Sequence, residues 1–148
     1  EIFSQSPTDP TMAPPGKHIL SCFCQWVPYA PAGRDWDDGL REEFADRVLA
    51  KLAEYAPNMR DAVIARQALS PVDLERRFGL TGGHIFHGEL TPDQAYQLRP
   101  LSGYADYRTP LANLYLCGSG AHPGGGVTGI PGHNAAHAVL ADLGRVER

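Results

Sequence analysis

The sequence predicts an α+β fold that closes on a strand, a glycine-rich turn and a helix. Three observations predict it. Runs rich in β-formers recur in the first half of the chain, at residues 1–5, 18–27 and 62–69. Between them lies one apolar stripe at helical spacing, made by Leu40, Phe44, Val48, Leu52 and Tyr55. Near the C-terminus the apolar run 114–117 meets Gly118, Gly120, Gly124, Gly125 and Gly126. Glycine costs backbone entropy, so that density signals positive φ or a ligand pressed against bare backbone.

The elements follow in order. Residues 1–5 read as a strand. Residues 6–16 hold four prolines and read as a loop, because proline removes donors and fixes φ. Residues 18–27 read as a strand covered on both faces. Asp37 or Asp38 caps a helix over 39–55, with Glu43 and Arg47 as an i,i+4 pair on its wet side. Pro57 and Asn58 stop it, and residues 62–69 form a third strand. Ser70-Pro-Val-Asp73 is a capping box that opens a short helix ending at Gly79. Thr91-Pro-Asp-Gln94 repeats that logic and opens a helix stopped by Arg99-Pro100. Between the two boxes, Gly82, Gly83 and Gly88 bracket His84 and His87 in a loop. Residues 114–117 make the last strand, and Thr128 caps a final helix with Pro131 in its first turn.

Bulk properties exclude some function classes. The net charge is −4 and the sequence pI about 5.8, whereas general nucleic-acid binding needs a basic excess. No apolar run approaches the roughly 20 residues that span a bilayer, so no transmembrane segment is expected. Cys22, Cys24 and Cys117 are odd in number and form no C-x-x-C pair. Small buried thiols in a reducing compartment are expected, and with them a cytoplasmic location. The chain opens on Glu1, in residues that already have strand character, and so reads as a piece of something longer.

A strand, a glycine turn and a helix N-terminus form an anion site, with free N–H groups and the positive end of the helix dipole aimed at a phosphate or an electron-rich ring edge. Gly118-Ser-Gly-Ala-His-Pro-Gly124 approximates a dinucleotide fingerprint. However, no second strand follows the helix to complete a nucleotide-binding unit. His133 and His137 stand at i,i+4, but Asn134 occupies the place of a metalloprotease's Glu, so no metal is assigned. His84, His87 and His122 are either ordinary hydrogen-bonded histidines or weak candidates for acid–base work. Ser119 lacks the spacing of a nucleophile elbow. With no evident acid, base or nucleophile, a bound cofactor is expected to carry the chemistry. The alternative is a non-redox module that binds an anion or a partner through the same turn.

Residues 107–136, together with Gly82-Gly-His-Ile-Phe-His-Gly-Glu89, Asp93-Gln94, Arg99-Pro100 and the loop 9–16, resemble the phytoene-desaturase-like FAD-dependent oxidoreductases. The branch they most resemble is that of the pyridine nucleotide-disulfide oxidoreductase domain-containing proteins. The resemblance implies a fragment of a two-domain FAD/NAD(P)-binding oxidoreductase. Residues 1–106 would be the C-terminal part of the substrate-binding domain, an antiparallel sheet with a covering helix. Residues 107–148 would be the C-terminal segment of the FAD-binding domain. FAD would be lined by Gly118, Ser119, Pro123, Gly124, Gly125, Gly126, Val127, Thr128, Gly129, Ile130 and Asn134. The His84–His87 loop and Tyr104 would face a small apolar substrate. The chain has no opening βαβ unit for the ADP half of FAD, so its implied partner is an N-terminal ADP-binding half. Alone, it is expected neither to retain FAD nor to be active.

Overall fold

The computed structural model describes residues 1–144. It is α+β, with a two-stranded antiparallel sheet and four helices among the described residues. β1 (Ile2–Phe3) pairs with β2 (Ser21–Cys22), with Ile2 opposite Cys22 and Phe3 opposite Ser21. Between them the proline loop carries a 3₁₀ turn at Pro10–Met12, capped by Asp9. The expected strand over 18–27 shrinks to β2, and its faces are not covered: Ile19 and Leu20 are exposed and Trp26 is 99% exposed. A two-stranded ribbon offers too little sheet to cover apolar side chains on either face.

α1 (Asp38–Ala53) starts where Asp37 accepts the Leu40 N–H at 2.7 Å. Its apolar stripe is only half realised, since Leu40 alone is fully buried. Trp36 packs edge-on against Phe44, and its Nε1 donates to the Pro28 carbonyl at 2.9 Å. The expected Glu43–Arg47 pair does not form. Glu43 binds Arg34 at 2.7 Å, and the Arg47 guanidinium lies over the Phe44 ring. A short helix, α2 (Met59–Ala62), follows. The third strand expected over 62–69 is absent, because no neighbouring backbone offers it a ladder. Instead Arg66 straps this segment to α1 through Glu42 and Asp46.

α3 (Pro71–Phe78) carries the capping box as expected. Ser70 Oγ accepts the Asp73 N–H, and Asp73 accepts the Ser70 N–H at 2.8 Å. Gly79 ends the helix in the left-handed conformation. The helix expected after Thr91 is reduced to two 3₁₀ turns, Pro92–Gln94 and Tyr96–Leu98, and Thr91 makes no side-chain cap bond.

The strand expected over 114–117 reduces to a single bridge between Arg108 and Tyr115, with Leu114 and Leu116 exposed. α4 (Ile130–Asp142) begins at Gly129, whose φ of 72° makes it the capping residue. Thr128 still assists, its hydroxyl accepting the Ile130 N–H at 3.2 Å. Pro131 lies in the first turn, as expected. The buried core joins Tyr107, Ala121 and Ala135, with Ala138 against it. No helix among the described residues is long and apolar enough to cross a membrane.

Candidate functional site

The glycine stretch folds as two tight turns: Ala121 N–H donates to the Gly118 carbonyl at 3.0 Å and Gly124 N–H to the Ala121 carbonyl at 2.7 Å. Gly124 and Gly126 have φ of 105° and 127°, a region closed to side chains. Between this stretch and the N-terminus of α4 lies a cleft of about 170 Å³. Gly118, Ser119, Gly124, Gly125, Val127, Thr128 and Gly129 line it, together with Cys117, Pro131 and Gly132. Half of its wall is thus glycine. A Cβ added at Gly118 or Gly129 would meet no protein atom within 4 Å. Backbone is therefore presented bare to open space, as a cradle for an electron-rich group requires.

Of the residues expected to line a cofactor, Pro123, Gly126, Ile130 and Asn134 lie outside the cleft wall. The Asn134 Nδ2 donates to the Tyr107 hydroxyl at 2.8 Å and so points its amide at the core. Gly124-Gly-Gly-Val-Thr-Gly129 also satisfies G-x-G-x-x-G directly before a helix. That spacing is weak on its own, since no strand precedes it here. Val127 is fully exposed at φ 57°. A β-branched residue there is strained by about 1–3 kcal/mol.

α4 is held over the cleft from its far end. Arg108 forks onto Asp142 through Nε and Nη2, both at 2.8 Å, and reaches Asp106 through Nη1 at 2.9 Å. These carboxylates hold the Arg108 guanidinium well above its ordinary range. The Tyr115 hydroxyl donates to Asp142 at 2.9 Å, and that bond raises its pKa.

The histidine loop reaches the cleft from behind. Gly83 allows it to touch α3, since a Cβ there would collide with the Pro71 backbone. His84 Nδ1 accepts the Phe86 N–H. The Phe86 ring lies so close to Gly125 that an added Cβ would stand 3.0 Å from it. The His87 side chain lies beside Gly120, whereas His122 Nδ1 engages the Tyr96 carbonyl at 3.0 Å. The three histidines thus have separate partners. The His133 and His137 rings lie 4.7 Å apart, and no group of three metal ligands occurs among the described residues. The expected buried thiols are not found: Cys22 and Cys117 are exposed and Cys24 is half-buried, all three free, and partial desolvation pushes the Cys22 thiol up.

Two residues of this site lie in stretches that carry the family resemblance, yet no local pattern assigns them a role there. Phe86 is one apolar residue in a glycine loop. Arg99 reads only as a helix stop, yet it is the most buried large side chain, 2% exposed. Its guanidinium donates to the carbonyls of Ser119 (3.0 Å), Glu89, Gln94 and His87 (3.3 Å each), and to that of Phe86. It therefore ties the histidine loop to the cleft wall. A larger open groove, about 590 Å³ between α1 and residues 60–66, is lined by apolar side chains, Arg60 and the paired Asp46 and Arg66. Its single carboxylate is already engaged by Arg66.

The sequence is similar to those of known proteins. The chain is 51% identical over 144 residues to pyridine nucleotide-disulfide oxidoreductase domain-containing protein 2 of Rattus norvegicus, a match covering 97% of this chain and 25% of the relative. It is 37% identical to one of the subunits of limonene dehydrogenase from Castellaniella defragrans, covering 92% of this chain and 26% of that one. It is 35% identical to a lycopene-forming phytoene desaturase of a Paracoccus species, covering 96% and 28%. The chain thus spans about a quarter of the length of the curated relatives it matches. No family model matches it, and no solved structure does.

Proposed function

We propose, for a chain related along nearly its whole length to a quarter of the phytoene-desaturase-like oxidoreductases, that it forms the flavin-facing wall of an FAD-dependent oxidoreductase. The observation that carries this reading is the glycine-lined cleft at the start of α4, where Gly118 and Gly129 face open space. FAD, when bound, would supply the chemistry by accepting a hydride. The chain's own residues would bind and orient: bare backbone from Gly118 to Gly129 against the ring, and at the first turn of α4 the Gly132 N–H, since the Ile130 N–H is taken by Thr128 and Pro131 has none. Residues 107–148 would then belong to the flavin domain. The fork from Arg108 to Asp142 makes most of that segment one unit. Residues 1–106 would belong to the substrate side. An apolar substrate is in keeping with relatives named for limonene and phytoene.

The partner in this reading is the ADP-binding half of the same protein. Surface area supports it. The chain exposes 10,866 Å², whereas a folded monomer of 16.1 kDa exposes about 7,400 Å². Ile64, Tyr55, Leu111 and Val127 are among the large apolar side chains left in solvent. Alone, the chain is expected to hold FAD weakly and to be inactive.

Gly118 is the position at which to test this. Its backbone is not left-handed and a side chain there touches no protein atom, so Gly118→Val leaves the fold intact while filling the cradle. In the full-length protein we expect FAD affinity to fall at least tenfold, by fluorescence titration, with unchanged melting temperature. Gly125 is the poorer choice, because its substitution displaces Phe86 whether or not a ligand binds. Unchanged flavin affinity in Gly118→Val, or no flavin binding by the parent, would favour a non-redox module.

A further inference from the structure

We propose that Arg99 is the fixed positive charge behind the cleft, and that it makes the cleft prefer the anionic, reduced form of the flavin over the oxidised form. The inference rests on the flavin reading above and assigns the charge a residue. Buried cations ordinarily sit beside a carboxylate. Arg99 is 2% exposed and takes part in no ion pair among the described residues. Every hydrogen bond it makes runs to a main-chain carbonyl: Phe86, His87, Glu89, Gln94 and Ser119. Those oxygens satisfy the donors, but they carry only partial charge. A guanidinium stays protonated in proteins, so a net positive charge remains inside the fold.

Its position gives that charge a direction. Ser119, bonded through Nε and Nη2 at 3.3 and 3.0 Å, is part of the cleft wall. So is Gly124, where an added Cβ would lie 3.5 Å from Arg99 Nε. The charge therefore stands one residue's thickness behind the cleft, shielded from water. It has the same sign as the positive N-terminal end of the α4 dipole. Across such a wall, at an effective dielectric of about 20, a unit charge changes the relative affinity for an anion by about tenfold or more. Five carbonyls from three segments also make Arg99 a positioning residue, so loss of order must be separated from loss of charge.

Two variants of the full-length flavoprotein separate them. Arg99→Gln keeps donors and removes the charge; Arg99→Lys keeps the charge and loses the planar fork. The readout is the ratio of affinities for reduced and oxidised FAD, obtained from the midpoint potential of bound against free flavin. We expect the ratio to fall about tenfold in Arg99→Gln and to stay within about twofold in Arg99→Lys, although both variants melt earlier. A parent that holds no flavin overturns the flavin reading, and this inference with it. A parent that holds flavin, with Arg99→Gln weakening both redox forms equally, overturns only the role of Arg99. Should Arg99→Gln fail to fold, replacing Arg99 by citrulline, which keeps the planar fork without the charge, decides: a tenfold fall in the ratio supports the charge, and a ratio kept within twofold refutes it.

Discussion

At the scale of the residue, three polar side chains decide how the glycine cleft is built: Arg99 and Tyr107 are buried, and Arg108 is engaged at the surface. Arg99 ties two segments, around Glu89 and Gln94, to Ser119 of the cleft wall. Arg108 anchors the far end of α4. Tyr107, buried and at φ 72°, accepts from Asn134 at 2.8 Å. Removing the Tyr107 hydroxyl leaves the Asn134 amide short of an acceptor in a part-buried site. Tyr107→Phe should therefore cost about 1–2 kcal/mol in urea unfolding. It should do so without altering flavin affinity, because the Asn134 amide faces the core. A flavin affinity that falls with stability would show that Asn134 reaches the ligand as well.

Among the elements, those whose signals are local form as the sequence indicates. α3 is the best example, because Ser70, Pro71, Asp73 and Gly79 satisfy its ends within a few residues. The Ser70 hydroxyl and N–H, with Arg41 adding to them, hold the Asp73 carboxyl below its ordinary range. A depressed folded value means that this contribution is present above the unfolded value of 3.8 and is lost as pH falls through the lower, folded one. Ser70→Ala should thus cost about 1 kcal/mol near neutral pH. The penalty should shrink as pH drops below 3.8, measured by urea unfolding at several pH values. A penalty that stays constant across that range would assign it to the hydroxyl's helix cap alone. Strands behave differently. Residues 62–69 have strand composition and no ladder, and residues 114–117 keep only the Arg108–Tyr115 bridge, because β-structure needs a second backbone held at a fixed spacing along its length.

The whole molecule presents far more surface than a chain of its mass normally does, and large apolar side chains share in it. Trp26, 99% exposed at φ 60°, is the clearest instance. If the remainder of a longer oxidoreductase covers this face, Trp26 is wet in the isolated chain and shielded in the complete protein. With Trp36 replaced by Phe, acrylamide should quench the emission of Trp26 strongly in the first and weakly in the second. Equal quenching in both would place the covering surface elsewhere. The Glu43 result belongs at this scale too. Its partner is Arg34 rather than Arg47, a choice made by how the loop before α1 folds back and not by spacing along the helix.

The features legible in the chain alone are local: the caps of α1 and α3, the proline loop, Pro131 in the first turn of α4, and a glycine stretch that leaves backbone bare. Each depends on atoms within four or five residues, where side-chain chemistry and allowed φ suffice. The α+β class was legible for the same reason. Folding alone settled which glycines face the cleft and which of the expected residues turn away, Asn134 above all. It also decided that the histidines have separate partners. Its largest addition is Arg99, which adjoins a proline and reads as a helix stop until the chain folds. The acceptors of that guanidinium lie up to 20 residues away, and no local pattern records where a carbonyl will point once loops from three segments meet.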